Sequence, residues 1–280
     1  MCTSFAVYSQ NNPIYGMNFD SDDIDIKLNI YNYADRDVFY FSGLMDKTYR
    51  DIAGINSNGL FICTQALEYS PNFQPCSNGN NVCVFDVIEE SLRVGDKVSD
   101  FLDILNNRNA FYSVTNPFFP NMGLHTIIAD KYGDAVILEE GINTNVISKI
   151  DGKFIVMTNF PNGKFENQKF DEVCGCGADR YIKAYKDIDD KINNFGINDA
   201  FDVLRKTCQA PTSQAPTICS IVFEPVKLEA YICFKIDFDK KWKVSIKQKS
   251  IHSLNGFNNN NSIVFSTEGV IAKQLYKFHE

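Results

Sequence analysis

Runs of strand composition come in three groups along this chain, and a pair of helical segments separates each group from the next. The first group opens with residues 2–8, Cys-Thr-Ser-Phe-Ala-Val-Tyr. A turn cluster, Gln10-Asn11-Asn12-Pro13, leads to a second run at 14–20, Ile-Tyr-Gly-Met-Asn-Phe-Asp. Residues 29–33 and 37–41 continue the group, and 52–56 and 60–64 flank a Ser-Asn-Gly turn, a strong hairpin signal. Helices follow: 81–94, with Val84, Val87, Ile88 and Leu92 at helical spacing and Gly95 as its stop, then 97–105. The second strand group covers 125–130, 134–139, 145–150 and 153–159. Its helix pair is 180–188 and 198–208, the latter with Asn198 as N-cap. Strands return at 217–223, 229–236 and 242–246, while Asn258–Asn261 reads as a polar loop. This order predicts an α+β fold of antiparallel sheets covered by helices, without separating one such fold from another. No Pro/Gly/Ser-rich linker or internal repeat interrupts the 280 residues, so one domain over 1–280 is expected.

The chemistry starts at position 2. Methionine is readily trimmed before a small residue, so the mature chain is expected to begin at Cys2. One residue then carries a thiol, with an ordinary pKa of about 8.5, and an α-amine of about 7.7–8.0. Part of the amine is unprotonated at neutral pH and can take the thiol proton. Nucleophile and general base come together, as in other N-terminal nucleophiles. Antiparallel pairing of 2–8 with 14–20 brings the end of the second run back beside Cys2. Asn18 and Asp20, two apart, share one face there. A carboxylate at Asp20 would hold or orient the amine.

At these residues the chain resembles the choloylglycine hydrolase family, which includes bile salt hydrolases and penicillin V acylases. Met1-Cys2-Thr3-Ser4 and Gly16-Met17-Asn18-Phe19-Asp20 carry the first part of the resemblance. Further segments follow in the family's order: 54–60, similar to its G-x-N-x-x-G-L turn; 125–139, similar to its H-x-x-x-x-D-x-x-G…E strand pair; Thr158-Asn159 at a strand end; and Arg180-Tyr181 at a helix start. The resemblance runs from Cys2 to about Tyr231. It implies the αββα sandwich of the N-terminal nucleophile fold, hydrolysis of linear amides without a cofactor, and a small-molecule N-acyl amide as substrate. Residue by residue, it makes Cys2 the nucleophile, Asp20 the carboxylate near the amine, Asn159 an oxyanion donor, and Arg180 the arginine packed behind the nucleophile.

Two positions depart from the bile salt hydrolases. Met17 stands where they have arginine, and Gln65 or Ala66 where they have a second asparagine. Gln65 or the backbone beside Cys2 is therefore the expected second oxyanion donor, with Asn18, Met17 and Phe19 beside the substrate. The segment between Asn159 and Arg180 is shorter than in the bile salt hydrolases, where a protruding element serves tetramer assembly. A homo-oligomer stays open, with a tetramer the less expected assembly. In these respects the chain is similar to acyl-coenzyme A:6-aminopenicillanate acyltransferase-like relatives, so transfer of the acyl group to an amine stands as the alternative reaction. A non-catalytic binding protein on the same fold is the third reading. Tyr69, Phe118, Phe119 and Phe160 lie near motif ends where pocket loops are expected, which suits an apolar or aromatic acyl group.

The remaining features narrow the class. A net charge of −8 with scattered Lys and Arg argues against a nucleic-acid partner. No apolar run approaches a membrane span, and no basic-then-apolar leader is recognisable, so a cytoplasmic protein is expected. The nine cysteines include only one close pair, Cys174-Gly175-Cys176, and the three histidines do not cluster. Reduced, mostly buried thiols and no metal are expected. No nucleotide-type Gly-rich loop and no Gly-x-Ser-x-Gly elbow occurs. His125, Asp130 and Glu139 read as structural, the two acids as turn or surface groups.

Overall fold

A computed structural model describes residues 2–10, 12–22, 24–45, 47–68, 80–106, 108–111, 122–141 and 144–278. Met1, Asn11, Tyr69, Phe118 and Phe119, which figure in the sequence reading, and Cys76, one of the nine cysteines, lie outside the described residues.

The strands in chain order are β1 (Thr3–Ser9), β2 (Asn12–Asp20), β3 (Ile26–Asn32), β4 (Asp37–Met45), β5 (Thr48–Asn56), β6 (Phe61–Glu68), β7 (Asn81–Cys83), β8 (Asn109–Phe111) and β9 (Met122–Ala129). They continue with β10 (Ala135–Glu139), β11 (Val146–Lys149), β12 (Phe154–Met157), β13 (Thr217–Glu224), β14 (Glu229–Phe234), β15 (Lys241–Ser245), β16 (Ser250–Asn255), β17 (Ser262–Val264) and β18 (Val270–Ile271). The helices are α1 (Val84–Val94), α2 (Val98–Leu105), α3 (Ala178–Lys191), α4 (Ile197–Thr207) and α5 (Ala272–Tyr276). One eight-stranded sheet runs β12-β1-β2-β13-β14-β15-β16-β17, and a second runs β11-β10-β9-β6-β5-β4-β3-β18. Pairing within both is antiparallel.

Alternation along each strand divides its side chains between two cores. In β1, Ala6 faces the opposite sheet, while Phe5 and Val7 pack on α3 and α4 through Ala184, Ile188, Phe201 and Leu204. The second sheet presents Tyr40, Ile62, Ile128 and Leu138 to Val84, Ile88, Leu92, Val98 and Phe101 of α1 and α2. Between the sheets, Tyr15 stacks on Phe61 at 4.9 Å, and Phe61 meets Phe223 at the same separation. The result is an αββα sandwich. Each fully buried ring of this kind contributes roughly 1.5–3 kcal/mol. The β1–β2 pairing sets Phe5 opposite Gly16, and a Cβ at Gly16 would lie 2.2 Å from Phe5 Cζ. Glycine there lets the ring lie flat across the strand that carries the candidate site.

Several boundaries differ from the sequence reading. Residues 81–83 form a short strand parallel to β8, so α1 begins at Val84. The N-cap of α4 is Gly196, whose N–H donates to Asp199 Oδ2 at 3.1 Å; Asn198 lies inside the helix. Asp199 at the third helical position does the capping that was expected of Asn198.

Candidate active site

Three strands of the first sheet, β1, β2 and β12, and helix α3 bring Cys2, Asp20, Asn159 and Arg180 to one end of β1. Thr3 pairs with Asn18 of β2 and Ser4 with Met157 of β12, so Cys2 sits level with Phe19 on one side and the segment after β12 on the other. Cys2 is buried and belongs to the inter-sheet core together with Met17 and Phe19. Its backbone nitrogen donates to Asn159 Oδ1 at 2.9 Å, and its Sγ lies 3.9 Å from the Asp20 carbonyl oxygen.

Arg180 closes this arrangement from the helix side. It stands in the first turn of α3 and is buried. Its Nη1 donates to the Cys2 carbonyl and to Thr3 Oγ1 at 3.0 Å, and its Nη2 donates to Asn159 Oδ1 at 2.8 Å. One guanidinium therefore fixes both Cys2 and the acceptor of the Cys2 nitrogen. Gly177 makes room for it. That residue has φ +83°, and a Cβ there would lie 2.5 Å from Arg180 Nη2. Asn159 Nδ2 donates to the Ala66 carbonyl at 2.6 Å. Because Arg180 can only donate and a carbonyl can only accept, the network fixes which way the Asn159 amide points.

Asp20 ends β2 beside a bulge in β13, where the register shifts between Thr217 and Cys219. Its Oδ1 accepts from Thr217 Oγ1 at 2.5 Å. Burial pushes the Asp20 carboxyl up to about 6, with the Thr217 hydrogen bond and Arg180 pulling the other way. Burial also raises the Cys2 thiol, and the Arg180 charge opposes that rise.

Two of the expected substrate-side residues point elsewhere. Asn18 turns to the helix layer, where its Nδ2 donates to the Leu204 carbonyl at 2.8 Å and to Thr207 Oγ1 at 3.2 Å; its Oδ1 accepts from Ser220 Oγ at 2.7 Å. Gln65 is buried on β6 with its amide committed on all sides. Nε2 donates to the Thr158 carbonyl and stands 3.4 Å from His125 Nε2, and Oε1 accepts from Ser4 Oγ at 3.1 Å. No hydrogen of Gln65 is left for an oxyanion. Met17 and Phe19 do lie in the inter-sheet core with Cys2; Met17 Sδ lies 3.8 Å from Cys63 Sγ, and Phe19 meets Phe41 edge-on at 5.3 Å. Phe160 packs away from Cys2, edge-on to Phe165 and Tyr181. It also lines a cleft of about 490 Å³ between β12, β11 and α3, which contains none of Cys2, Asp20 or Arg180.

Glu139 and Asp130 are not surface groups. Glu139 is buried and accepts from His125 Nδ1 and from the N–H groups of Asn162 and Gly163. Asp130 does shape its turn, accepting the Tyr132 N–H at 2.8 Å, but its second oxygen is buried against the Val98 N–H that opens α2. Thr3, Thr217 and Gly177 complete the site and were not singled out in the sequence. Only Gly177, just before a helix start, carries a local signal. Of the eight thiols in described residues, all free, four are buried: Cys2, Cys63, Cys219 and Cys233. No helix among the described residues is long and apolar enough to cross a membrane.

The model of the linear amide C–N hydrolases, choloylglycine hydrolase family, matches residues 24–197. No curated protein matches the chain. Among solved structures, a variant of the conjugated bile acid hydrolase from Clostridium perfringens superposes with a TM-score of 0.64 at 15% identity, over 95% of this chain and 98% of that one. Penicillin V acylase from Agrobacterium tumefaciens gives 0.66 at 14% identity over 91% of each chain. A Caenorhabditis elegans ortholog of N-acylethanolamine-hydrolyzing acid amidase gives 0.53 at 17%, over 80% of this chain and 93% of that one. At such identities the likeness is one of fold. The family match spans more than half of the residues, and the chain belongs to the choloylglycine hydrolase family of linear amide C–N hydrolases.

Proposed function

We propose that this protein hydrolyses linear N-acyl amides through a thioester on Cys2, after loss of Met1. The observation that carries the reading is the shared acceptor: Asn159 Oδ1 takes hydrogen bonds from the Cys2 nitrogen and from Arg180, 2.9 and 2.8 Å away. Once Met1 is gone that nitrogen is the α-amine, held beside its own thiol. The amine takes the thiol proton, and the sulfur attacks the substrate carbonyl carbon. As the C–N bond breaks, the α-ammonium returns the proton to the departing nitrogen. Water, deprotonated by the same amine, then attacks the thioester; the carboxylic acid leaves and the sulfur regains its proton.

Asn159 Nδ2 spends one hydrogen on the Ala66 carbonyl, and its second is assigned to the developing oxyanion. Asp20 steadies the ammonium form, and Arg180 favours the thiolate against the larger effect of burial. Met17, Phe19 and Phe41 make the inter-sheet core around Cys2 apolar, which supports an apolar or aromatic acyl group. The test is a panel of N-acyl amines, phenoxyacetyl and phenylacetyl amides among them, with amine release followed in water and with a competing amine present. Release by wild type and none by Cys2→Ala is expected. Equal release by both proteins would overturn the reading.

A further inference from the structure

We infer that Glu139 and His125 are positioning residues that set the orientation of Asn159. The inference rests on the reading that Asn159 orients the Cys2 nitrogen. Gln65, His125 and Glu139 occupy directly opposed positions on three neighbouring strands: Gln65 of β6 faces His125 of β9, which faces Glu139 of β10. All three are at least nine-tenths buried, on the side of the sheet that looks toward Cys2's own sheet. They form one hydrogen-bonded row.

The direction of each bond in the row is determined. Glu139 Oε1 and Oε2 accept the N–H groups of Asn162 and Gly163, both at 2.7 Å, so the carboxylate is acting as an acceptor. Oε1 also lies 3.1 Å from His125 Nδ1, which therefore carries the hydrogen. The lone pair at His125 Nε2 then faces Gln65 Nε2 at 3.4 Å and accepts from it, while the other Gln65 hydrogen goes to the Thr158 carbonyl.

The two ends of the row hold the same short stretch of chain. Gln65 grips Thr158, immediately before Asn159, and Glu139 grips Asn162 and Gly163, shortly after it. The Asn159 carbonyl is itself taken by the Glu68 N–H at 2.7 Å. Ser4, two residues from Cys2, joins the row through Gln65 Oε1. A buried carboxylate–imidazole pair is a weak source of net stability, because its desolvation offsets its attraction. What it supplies here is a single arrangement of the loop that carries Asn159.

The experiment compares full-length wild type with Glu139→Gln, Gln65→Met and the double variant, each checked for folding by circular dichroism. In Glu139→Gln an amide NH₂ meets groups that all donate. With its oxygen toward His125 and Asn162 it opposes the Gly163 N–H, and turned the other way it opposes His125 and Asn162, so a grip on the loop is lost either way. Gln65→Met breaks the grip on Thr158 at similar volume and leaves no charge unpaired, so it keeps the test open should Glu139→Gln not fold.

A misplaced catalytic group costs on the order of 100-fold. Each single variant is therefore expected to lower kcat by roughly 10- to 100-fold with little change in KM, and the double to resemble the worse single, since all act through one row. A second readout needs no substrate: the rate of iodoacetamide labelling at Cys2 relative to exposed Cys174 in the same molecule, expected to fall several-fold in each folded variant. Unchanged kcat and labelling ratio in folded variants would overturn the inference, as would losses that multiply in the double. If wild type hydrolyses no amide, the functional reading fails, and the labelling ratio still decides this one.

Discussion

Asn159 Oδ1 accepts from the backbone nitrogen of Cys2 at 2.9 Å, across 157 positions of sequence. The contact joins the first strand of one sheet to the segment leaving its edge strand β12. Arg180, from the helix layer, donates to the same oxygen. A strand-end amide and a helix-borne guanidinium thus hold one nitrogen next to a buried thiol.

Asp20 is expected to set the acid limb of activity. Its carboxyl is raised from 3.8 to about 6, chiefly by burial. In the folded protein it therefore keeps its proton up to about pH 6, whereas the unfolded chain loses it near 3.8. Its contribution to stability is greatest below 3.8 and declines as pH rises toward 6. Activity should move the opposite way, falling as pH drops through about 6, because the carboxylate that steadies the amine is lost. The Thr217 bond holds this pKa down, so Thr217→Val should shift the acid limb of kcat/KM to higher pH. A limb that stays in place in both Thr217→Val and Asp20→Asn would remove Asp20 from the mechanism.

Arg180 and Gly177 should fail together. Arg180→Met leaves the Cys2 carbonyl without its guanidinium donor, at a cost of roughly 1–3 kcal/mol for a buried acceptor left unmade. Gly177→Ala puts a Cβ against the guanidinium and forces alanine into a left-handed conformation that costs roughly 1–2 kcal/mol by itself. Both variants are expected to unfold at lower denaturant concentration than wild type and to lose activity by about 100-fold. Full activity in folded Gly177→Ala would show that the guanidinium need not be held where it is.

Specificity should favour small apolar acyl groups over bile salts. Met17 is buried beside Cys2 and Cys63 and offers no charge or hydrogen-bond donor to an anionic conjugate. The kcat/KM ratio of glycocholate to a phenoxyacetyl or phenylacetyl amide is expected to be well below one. A ratio above one would mean that Met17 does not govern the choice.

Much of this site was legible before folding. Cys2 in a strand that turns back on itself and Asp20 at the end of the return strand are local facts; the strand grouping gives antiparallel sheets covered by helices, and the αββα sandwich and the places of Asn159 and Arg180 came through the family resemblance. What stayed hidden depends on cross-strand register. Asn18 and Asp20 were expected on one face of β2. Asn18, deeper in the strand, is covered by α4 and spends its amide there, whereas Asp20 lies at the open end. Gln65 was read by its position after a turn, yet its opposition to His125 is set by the β6–β9 pairing, which nothing local encodes. Glu139 looked like a surface acid at a strand end. The segment 158–163 crosses that end and supplies two N–H donors that make its burial tolerable. Strands β16 to β18 and helix α5 come from a polar, Asn-rich tail with little periodicity.

The central claim is that the Cys2 nitrogen and sulfur work as one unit, and intact mass tests it most directly. Active protein should be lighter than the full translation by one methionine. Rapid quenching during turnover of a slow amide should add the mass of one acyl group, which peptide mapping should place on Cys2. Full activity with Met1 retained, or an acyl group on any other residue, would contradict the account.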